Sequence, residues 1–337
     1  MSLSKEKRES IKKYILEKAA EGETDIIQKV TDTFGVSRQS AYKYVRDLQS
    51  TGSIRKVGKN YRIVSQFHSF EIDLTDQKNR DEDVIYREKV FPVLQNLPTN
   101  VIGMWSFCFS EMMNNAIDHS EADACRVKLI QNPVYTAVII ADDGVGIFKK
   151  IKEHYGFQSL DDAIVELFKG KLTTDRLHHS GEGIFFSSRI MDVFAAISDG
   201  KVFSHTDFEE TIEDLSDTNV WLDKGTVIYM RLSNHSQKTN RDIMQIYADV
   251  DGGFTKTEIP IRHLFDGYPV SRSQAKRLYN RFEDFQEVEL DFSGVEEIGQ
   301  GFAHELFVVY VKAHPEVMLL MVNTNENIQR MIYHVTH

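Results

Sequence analysis

Three polar residues of one segment, Glu111, Asn115 and His119, recur at i, i+4 and i+8, so on a helix they project from a single face. A carboxylate beside a neutral amide suits a magnesium nucleotide. The amide oxygen ligates Mg²⁺ without adding charge, and Glu111 can polarise a water or hydroxyl attacking a γ-phosphate. Taken alone, such a face is more often solvated or hydrogen-bonded, but its neighbours in the chain change that weighting. The apolar run 135–141 ends in Asp142-Asp143-Gly144-Val145-Gly146-Ile147. Glycines at 144 and 146 permit a tight turn and close approach of backbone to a ligand. Asp142, at a strand end, can accept a hydrogen bond from the exocyclic amine of adenine and so discriminate against guanine. The runner-up for this acidic cluster is a calcium loop, which lacks the later Glu in register. Next, Ser180-Gly181-Glu182-Gly183-Ile184 opens an apolar helix expected over 185–194, whose N-terminal N–H groups can hold phosphate oxygens. Finally, Gly225-Thr226-Val227-Ile228 starts a strand that places a hydroxyl near the adenine side.

The elements that must position these groups follow from periodicity. Residues 66–69 read as a boundary, 70–74 as a strand, 81–94 as a helix, and a further helix from near Thr99 delivers Glu111. The stretch 148–179 is expected to be a lid. In it Lys171, Arg176, His178 and His179 either approach the phosphates or are simply solvated, and the His pair has no partner cluster for a metal.

In this order the four segments resemble the GHKL ATPase superfamily of gyrase, heat-shock chaperone, histidine kinase and mismatch-repair ATPases, over residues 70–233. The resemblance implies ATP and Mg²⁺ as cofactors. It assigns Glu111 as base and Asn115 as magnesium ligand, Asp142, Gly144 and Gly146 to the adenine box, Gly181 and Gly183 to the phosphates, and Thr226 to the final box. With His119 in the site, the variant is most similar to the anti-sigma-factor serine kinases. The chain departs from the family at Phe185, where another glycine is common. The implied fold is an α/β sandwich with helices on one face of a mixed sheet.

Charge divides the chain. Residues 1–65 hold 14 Lys/Arg against 8 Asp/Glu, a net +6, which leaves −17 for the remainder of a chain at −11. Such asymmetry suggests a nucleic-acid-binding arm on an acidic body. The arm reads as a helix over 5–20 with Ile11, Tyr14, Ile15 and Lys18 along one side. A second starts near Thr24 with Ile26, Ile27, Val30 and Phe34 on its stripe, and a third is capped by Ser37 with Ala41, Tyr44, Val45 and Leu48 inward. The outward face of the third presents Arg38, Gln39, Tyr42, Lys43 and Arg46 as donors to bases and phosphates. Segments 53–57 and 61–64 flank Gly58-Lys59-Asn60 as a basic hairpin in which Lys59 is a further contact. This arm resembles the winged helix-turn-helix of bacterial transcription regulators. The alternative reading is a winged helix used for protein contact or dimerisation.

Beyond Asn234 strands and helices alternate: a strand over 257–261, a helix over 271–285, a strand at 288–291, a helix over 300–312, a strand over 317–322 and a helix over 326–334. The segment 290–298 resembles the central strand of STAS domains. In those regulators a phosphorylatable serine follows, whereas this chain reads Gly299-Gln300-Gly301-Phe302, so the acceptor is missing. Asp291 and Ser293 are expected to be structural.

The chain is thus expected to be multidomain α+β: a winged helix over 1–66, a GHKL-type domain over 70–234 and a STAS-like α/β domain over 245–337. With 41% hydrophobic and 27% charged residues it has no apolar run near a membrane length. A secretory signal pattern is lacking, and Cys108 and Cys125 read as buried thiols, which gives a cytoplasmic expectation. The functional expectation is an ATP-responsive DNA-binding regulator with weak Mg-dependent ATPase activity. The alternative is a serine/threonine protein kinase of anti-sigma-factor type acting on a separate protein. A phosphoacceptor-histidine kinase lacks its dimerisation segment here, and topology or repair enzymes need domains this chain has no room for. Expected partners are ATP, DNA through the N-terminal domain, a protein through the STAS-like domain, and a second copy of the chain; no membrane is expected.

Overall fold

The basic segment folds because three amphipathic helices and a hairpin close over one small apolar core. Helix α1 (Lys5–Ala20) is capped by Ser4, and α3 (Arg38–Ser50) by Ser37, whose hydroxyl accepts from Ser40 N–H. Helix α2 (Ile26–Phe34) starts one residue later than Thr24 implies. Its cap is Asp25, held in the left-handed region with no side-chain bond. Ile11, Ile15, Val30, Ala41 and Val45 are fully buried at the centre. Strands β1 (Ile54–Val57) and β2 (Asn60–Ile63) pair antiparallel around the two-residue turn Gly58-Lys59, where Gly58 supplies the positive φ. The structure is a computed structural model, and it describes residues 4–172, 181–206, 208, 224–249, 251–265 and 267–337.

Strand β3 (Gln66–Asp73) follows after only two residues. The boundary expected at 66–69 is therefore strand: these residues pair with Gln131 to Lys128 of the next strand. As an edge strand β3 needs only the ladder on one side, so its exposed polar residues hid it from an apolar-pattern reading. Strands β4 (Ala124–Gln131), β5 (Tyr135–Asp142), β6 (Val193–Ser198), β7 (Lys201–Ser204) and β8 (Thr226–Ser233) complete a six-stranded sheet in the order β3-β4-β5-β8-β6-β7. Every ladder in it is antiparallel. The parallel pairs of the molecule lie in a second sheet, so the two sheets are of mixed kind only when taken together.

One face of the large sheet, through Val127, Leu129, Val138, Ile140, Ile228 and Met230, packs on the helices. Those are α4 (Glu82–Ile85) and α5 (Phe91–Leu94), joined by a π-helical turn, then α6 (Thr99–Asn114), α7 (Ile147–Tyr155), α8 (Leu160–Lys169) and α9 (Gly183–Ile190). The other face carries its own buried cluster around Ile139, Ala195 and Tyr229, against which Phe208 packs. Helix α9 ends earlier than the expected 194, because Asp192 N–H bonds to Arg231 O in the β8 ladder and draws Val193 into a strand. Helices α7 and α8 occupy the stretch expected to be a lid. Phe148, Ile151, Ala163 and Phe168 are buried there, so up to residue 169 it is packed structure.

Helix α10 (Asn240–Tyr247) had no counterpart in the sequence reading, and a boundary at 245 falls inside it. It is tied to α6 by Asn240 Nδ2 donating to Gly103 O at 3.1 Å, with the Asn100 amide bonding Ser236 O and Lys238 O. The second sheet, in the order β11-β10-β9, is parallel: β9 (Lys256–Pro260), β10 (Glu287–Asp291) and β11 (Met318–Val322). Helix α11 (Arg272–Tyr279), with a Ser271–Gln274 capping box, packs with α12 (Gln300–His304), which continues through a π-helical turn to α13 (Val311–Ala313) and packs in turn with α14 (Glu326–Thr336). Helix α11 stops short of the expected 285 because Asn280 leaves helical geometry at ψ 128° and Arg281 after it adopts a left-handed conformation. The C-terminal core joins that of the central domain in one apolar cluster, whereas the N-terminal core is separate. Among the described residues no helix is long and apolar enough to cross a membrane.

Candidate functional site

A cavity of about 350 Å³ opens between the helices and the large sheet. Its lining includes Glu111, Asn115, His119, Asp142, Gly146, Gly181, Gly183 and Thr226, drawn from four separate stretches of the chain. Helix α6 changes to a π-helical turn at Asn115–His119, yet all three polar residues still line the cavity.

The Asp142 end is built from backbone. Asp142, 5% exposed, accepts from Gly144 N–H at 2.9 Å and Thr226 N–H at 3.3 Å, both on Oδ1, so Oδ2 is the oxygen left for a ligand. Burial is the largest influence on this carboxyl and lifts it to about 6, against the two amide bonds that favour the anion. The Thr226 hydroxyl accepts from Ile147 N–H at 3.0 Å, which ties β8 to the start of α7. Gly144 stands behind this wall and does not line the cavity, but a Cβ on it would collide with Ser120 O. Gly225 is equally constrained: its φ is +73°, and a Cβ would collide with Asp142 O.

Elsewhere in the lining a Cβ on Gly183, the first residue of α9, would run into the Glu111 carboxylate. The Glu111 side chain therefore lies against a helix N-terminus, where the dipole favours anionic oxygens. Gly181, at φ +73°, is wedged on the Leu172 backbone, and Leu172 N–H bonds Gly181 O at 3.2 Å.

Several lining groups escaped the sequence reading. Ile147 and Ile151 sit one helical turn apart on α7, a spacing that was there to be read, and Lys150 beside them donates to Glu121 at 2.9 Å. Leu167, Gly170 and Leu172 form a further wall with no local motif, completed by Phe185, the residue that stands where the family often has a glycine. Lys171, expected near phosphates or in solvent, is half-buried and turned to residues 284 and 285. Its ammonium donates to Asp284 O at 2.7 Å and lies over the Phe285 ring at 4.6 Å. An aromatic face and a carbonyl thus share its ammonium with solvent. Arg176, His178 and His179 lie outside the described residues.

On the N-terminal unit Arg38, Gln39, Tyr42, Lys43, Arg46 and Lys59 are all exposed, and among the described residues none of these cations is in an ion pair. Cys108 and Cys125 are buried free thiols, which burial pushes well above the usual range. Asp291 closes the end of β10, accepting from Ser293 N–H at 2.8 Å and Asn323 Nδ2 at 2.9 Å, a structural role. Gly299 and the first turn of α12, Gln300-Gly301-Phe302, are covered by Pro269 and Val270, whose carbonyls accept from Gly299 and Phe302 N–H. No curated protein matches the chain. Residues 274–329 match the family model of a STAS-like domain of unknown function (DUF4325), so the C-terminal domain is STAS-like.

Proposed function

We propose that the chain is a regulator that binds Mg-ATP in its central domain and DNA through its N-terminal unit, with weak ATP hydrolysis resetting it. One observation carries this reading: four segments far apart in sequence converge on one cavity, lined by the acceptor Asp142 and by Glu111 and Asn115, with Glu111 against the glycine-opened start of α9. Asp142 Oδ2 would take the adenine amine, and Asn115 would ligate Mg²⁺ through its amide oxygen, with His119 beside it. Glu111 would orient and deprotonate the attacking water, and the backbone at Gly181 and Gly183 would approach the phosphates closely, as only glycine allows. These residues fit the GHKL pattern, ATP and magnesium being the cofactors that pattern takes.

The exposed cations Arg38, Lys43, Arg46 and Lys59, in no ion pair among the described residues, on a unit of net +6, favour DNA as the N-terminal partner and a winged helix as its fold. ATP can alter DNA binding only by binding two conformations unequally. Transfer to the chain's own STAS-like loop is disfavoured, since Gly299-Gln300-Gly301 offers no hydroxyl.

Titration calorimetry with ATP, with and without Mg²⁺, tests the reading. Wild type is expected to bind Mg-ATP, and Asn115→Ala to lose the metal dependence together with the ATP response of DNA binding. Absence of any affinity for adenine nucleotides in the presence of Mg²⁺ overturns it. Appearance of labelled γ-phosphate on a partner protein replaces the switch with a protein kinase.

A further inference from the structure

Residues 169–172 alternate in what they face. Gly170 and Leu172 line the cavity, while Lys169 and Lys171 turn to the STAS-like domain. Lys169 is 0% exposed and donates to Glu166 Oε1 at 2.6 Å, Asn280 O at 2.6 Å and Arg277 O at 3.3 Å. Glu166, 2% exposed, also accepts from Asn280 Nδ2 at 2.9 Å and Arg281 Nη1 at 3.2 Å. The backbone carbonyls are held from the same side: Thr257 Oγ1 donates to Lys169 O at 2.8 Å and Arg281 Nη2 to Lys171 O at 2.9 Å. A Cβ on Gly170 would press on Phe254 at 2.9 Å and on Phe185 at 3.0 Å, so even the cavity-facing glycine is fitted against residues from beyond the central sheet.

A buried Lys–Glu–Arg cluster is a poor source of net stability, because desolvation offsets the attraction. Burial accordingly drags Lys169 down to about 8. What such a cluster does supply is a single geometry, since any displacement strands a charge among apolar groups.

We infer that the STAS-like domain completes the nucleotide cavity, with Glu166, Lys169 and Arg281 as positioning residues that fix the wall at Gly170 and Leu172. The inference rests on the nucleotide reading of that cavity. Linkage makes the effect mutual: docking of the domain tightens ligand binding, and ligand tightens docking by the same factor.

The full-length protein is compared with Arg281→Ala, Arg281→Lys and Lys169→Met, using Mg-ATP as probe and amide hydrogen exchange as second readout. Arg281 lies outside the cavity and holds the Lys171 carbonyl, so Arg281→Ala is expected to weaken Mg-ATP binding by about tenfold, the equivalent of ~1.4 kcal/mol. Arg281→Lys should recover part of the loss. Ligand-free Arg281→Ala should exchange faster than wild type over residues 163–172. Mg-ATP should slow exchange over 272–285 in wild type and fail to do so in Arg281→Ala. Should Lys169→Met not fold, the Arg281 pair decides. If wild type binds Mg-ATP and Arg281→Ala binds it equally well, or if 272–285 does not respond, the inference is overturned. If wild type binds no nucleotide, the functional reading falls, and the clamp then stands or falls on the ligand-free exchange of 163–172 alone.

Discussion

At the Asp142 end of the cavity the chain holds itself, through amides of Gly144, Thr226 and Ile147 bonded to groups of the same sheet and turn. At the Gly170–Leu172 end the wall is held by side chains and carbonyls more than a hundred residues away. The first end is fixed whenever the sheet is folded, whereas the second is fixed only while the STAS-like domain is docked. In the nucleotide reading, recognition of a base would therefore belong to the central domain alone, and closure around the rest of the ligand would be open to control from outside it.

The sharpest way to break this contrast is Gly225→Ala. Its positive φ and the collision with Asp142 O leave no relaxed arrangement. The left-handed backbone costs about 1–2 kcal/mol and the overpacking about 1–3 more. A loss of ~3 kcal/mol is expected in urea unfolding. Gly200→Ala is the control: φ is +70° there, but nothing lies within 4 Å, so only the backbone cost of about 1 kcal/mol is expected. Equal losses in the two variants would mean that the Asp142 end is not close-packed.

Asp142→Asn should come next in size. It keeps an acceptor for Gly144 and Thr226 N–H but removes the charge, and a hydrogen bond to a charged group contributes about 1.5–3 kcal/mol, or roughly 10- to 150-fold in affinity for ATP. The pH dependence has a definite sign. Because the folded carboxyl is raised to about 6, the neutral form is the one the fold favours. Its contribution to ligand-free stability is complete below pH ~4, the ordinary carboxyl range, and is lost as pH rises through about 6. Affinity for an amine-donating base should change the other way, rising over the same interval as the carboxylate forms. Thermal unfolding and ATP titration at pH 4.5 and 7 measure both. An Asp142→Asn variant with the wild-type pH profile would assign the effect to another group.

What was legible in the sequence divides along the same line. Ser37, Asp81 and Ser271 announce helix starts, and each accepts the expected backbone N–H, because capping is settled within three residues. Glu111, Asn115, Asp142 and Thr226 were readable as candidates because each sits in a short pattern with chemical meaning on its own. Gly170 and Leu172 carry no such pattern and Phe185 stands out only as a departure from the glycine pattern; their place in the wall follows from contacts with Phe254 and residue 281 that no local window contains. Strand β6 was hidden for a related reason: Val193, Phe194 and Ile197 continue a helical spacing from Ile190, and only pairing with β8 decides otherwise.

The N-terminal unit sharpens the comparison from outside, since its core is separate from the one that the other two domains share. Lys43 is exposed on α3 and among the described residues in no ion pair. In the DNA reading it is a phosphate contact, so Lys43→Ala should weaken binding evenly across sequences, by several-fold at moderate salt, and reduce the slope of log affinity against log salt by about 1. Its effect on Mg-ATP affinity should be the smallest of all these changes, within about twofold, because a coupling passed between domains is worth about 1–3 kcal/mol and a single surface cation carries a fraction of it. Fluorescence anisotropy on labelled duplexes, with parallel ATP titrations, reads both quantities. A large loss of ATP affinity in Lys43→Ala would show that α3 is packed on the body in solution and that a third domain shapes the cavity. An unchanged salt slope would instead remove Lys43 from the DNA face and favour a protein surface as the partner of α3.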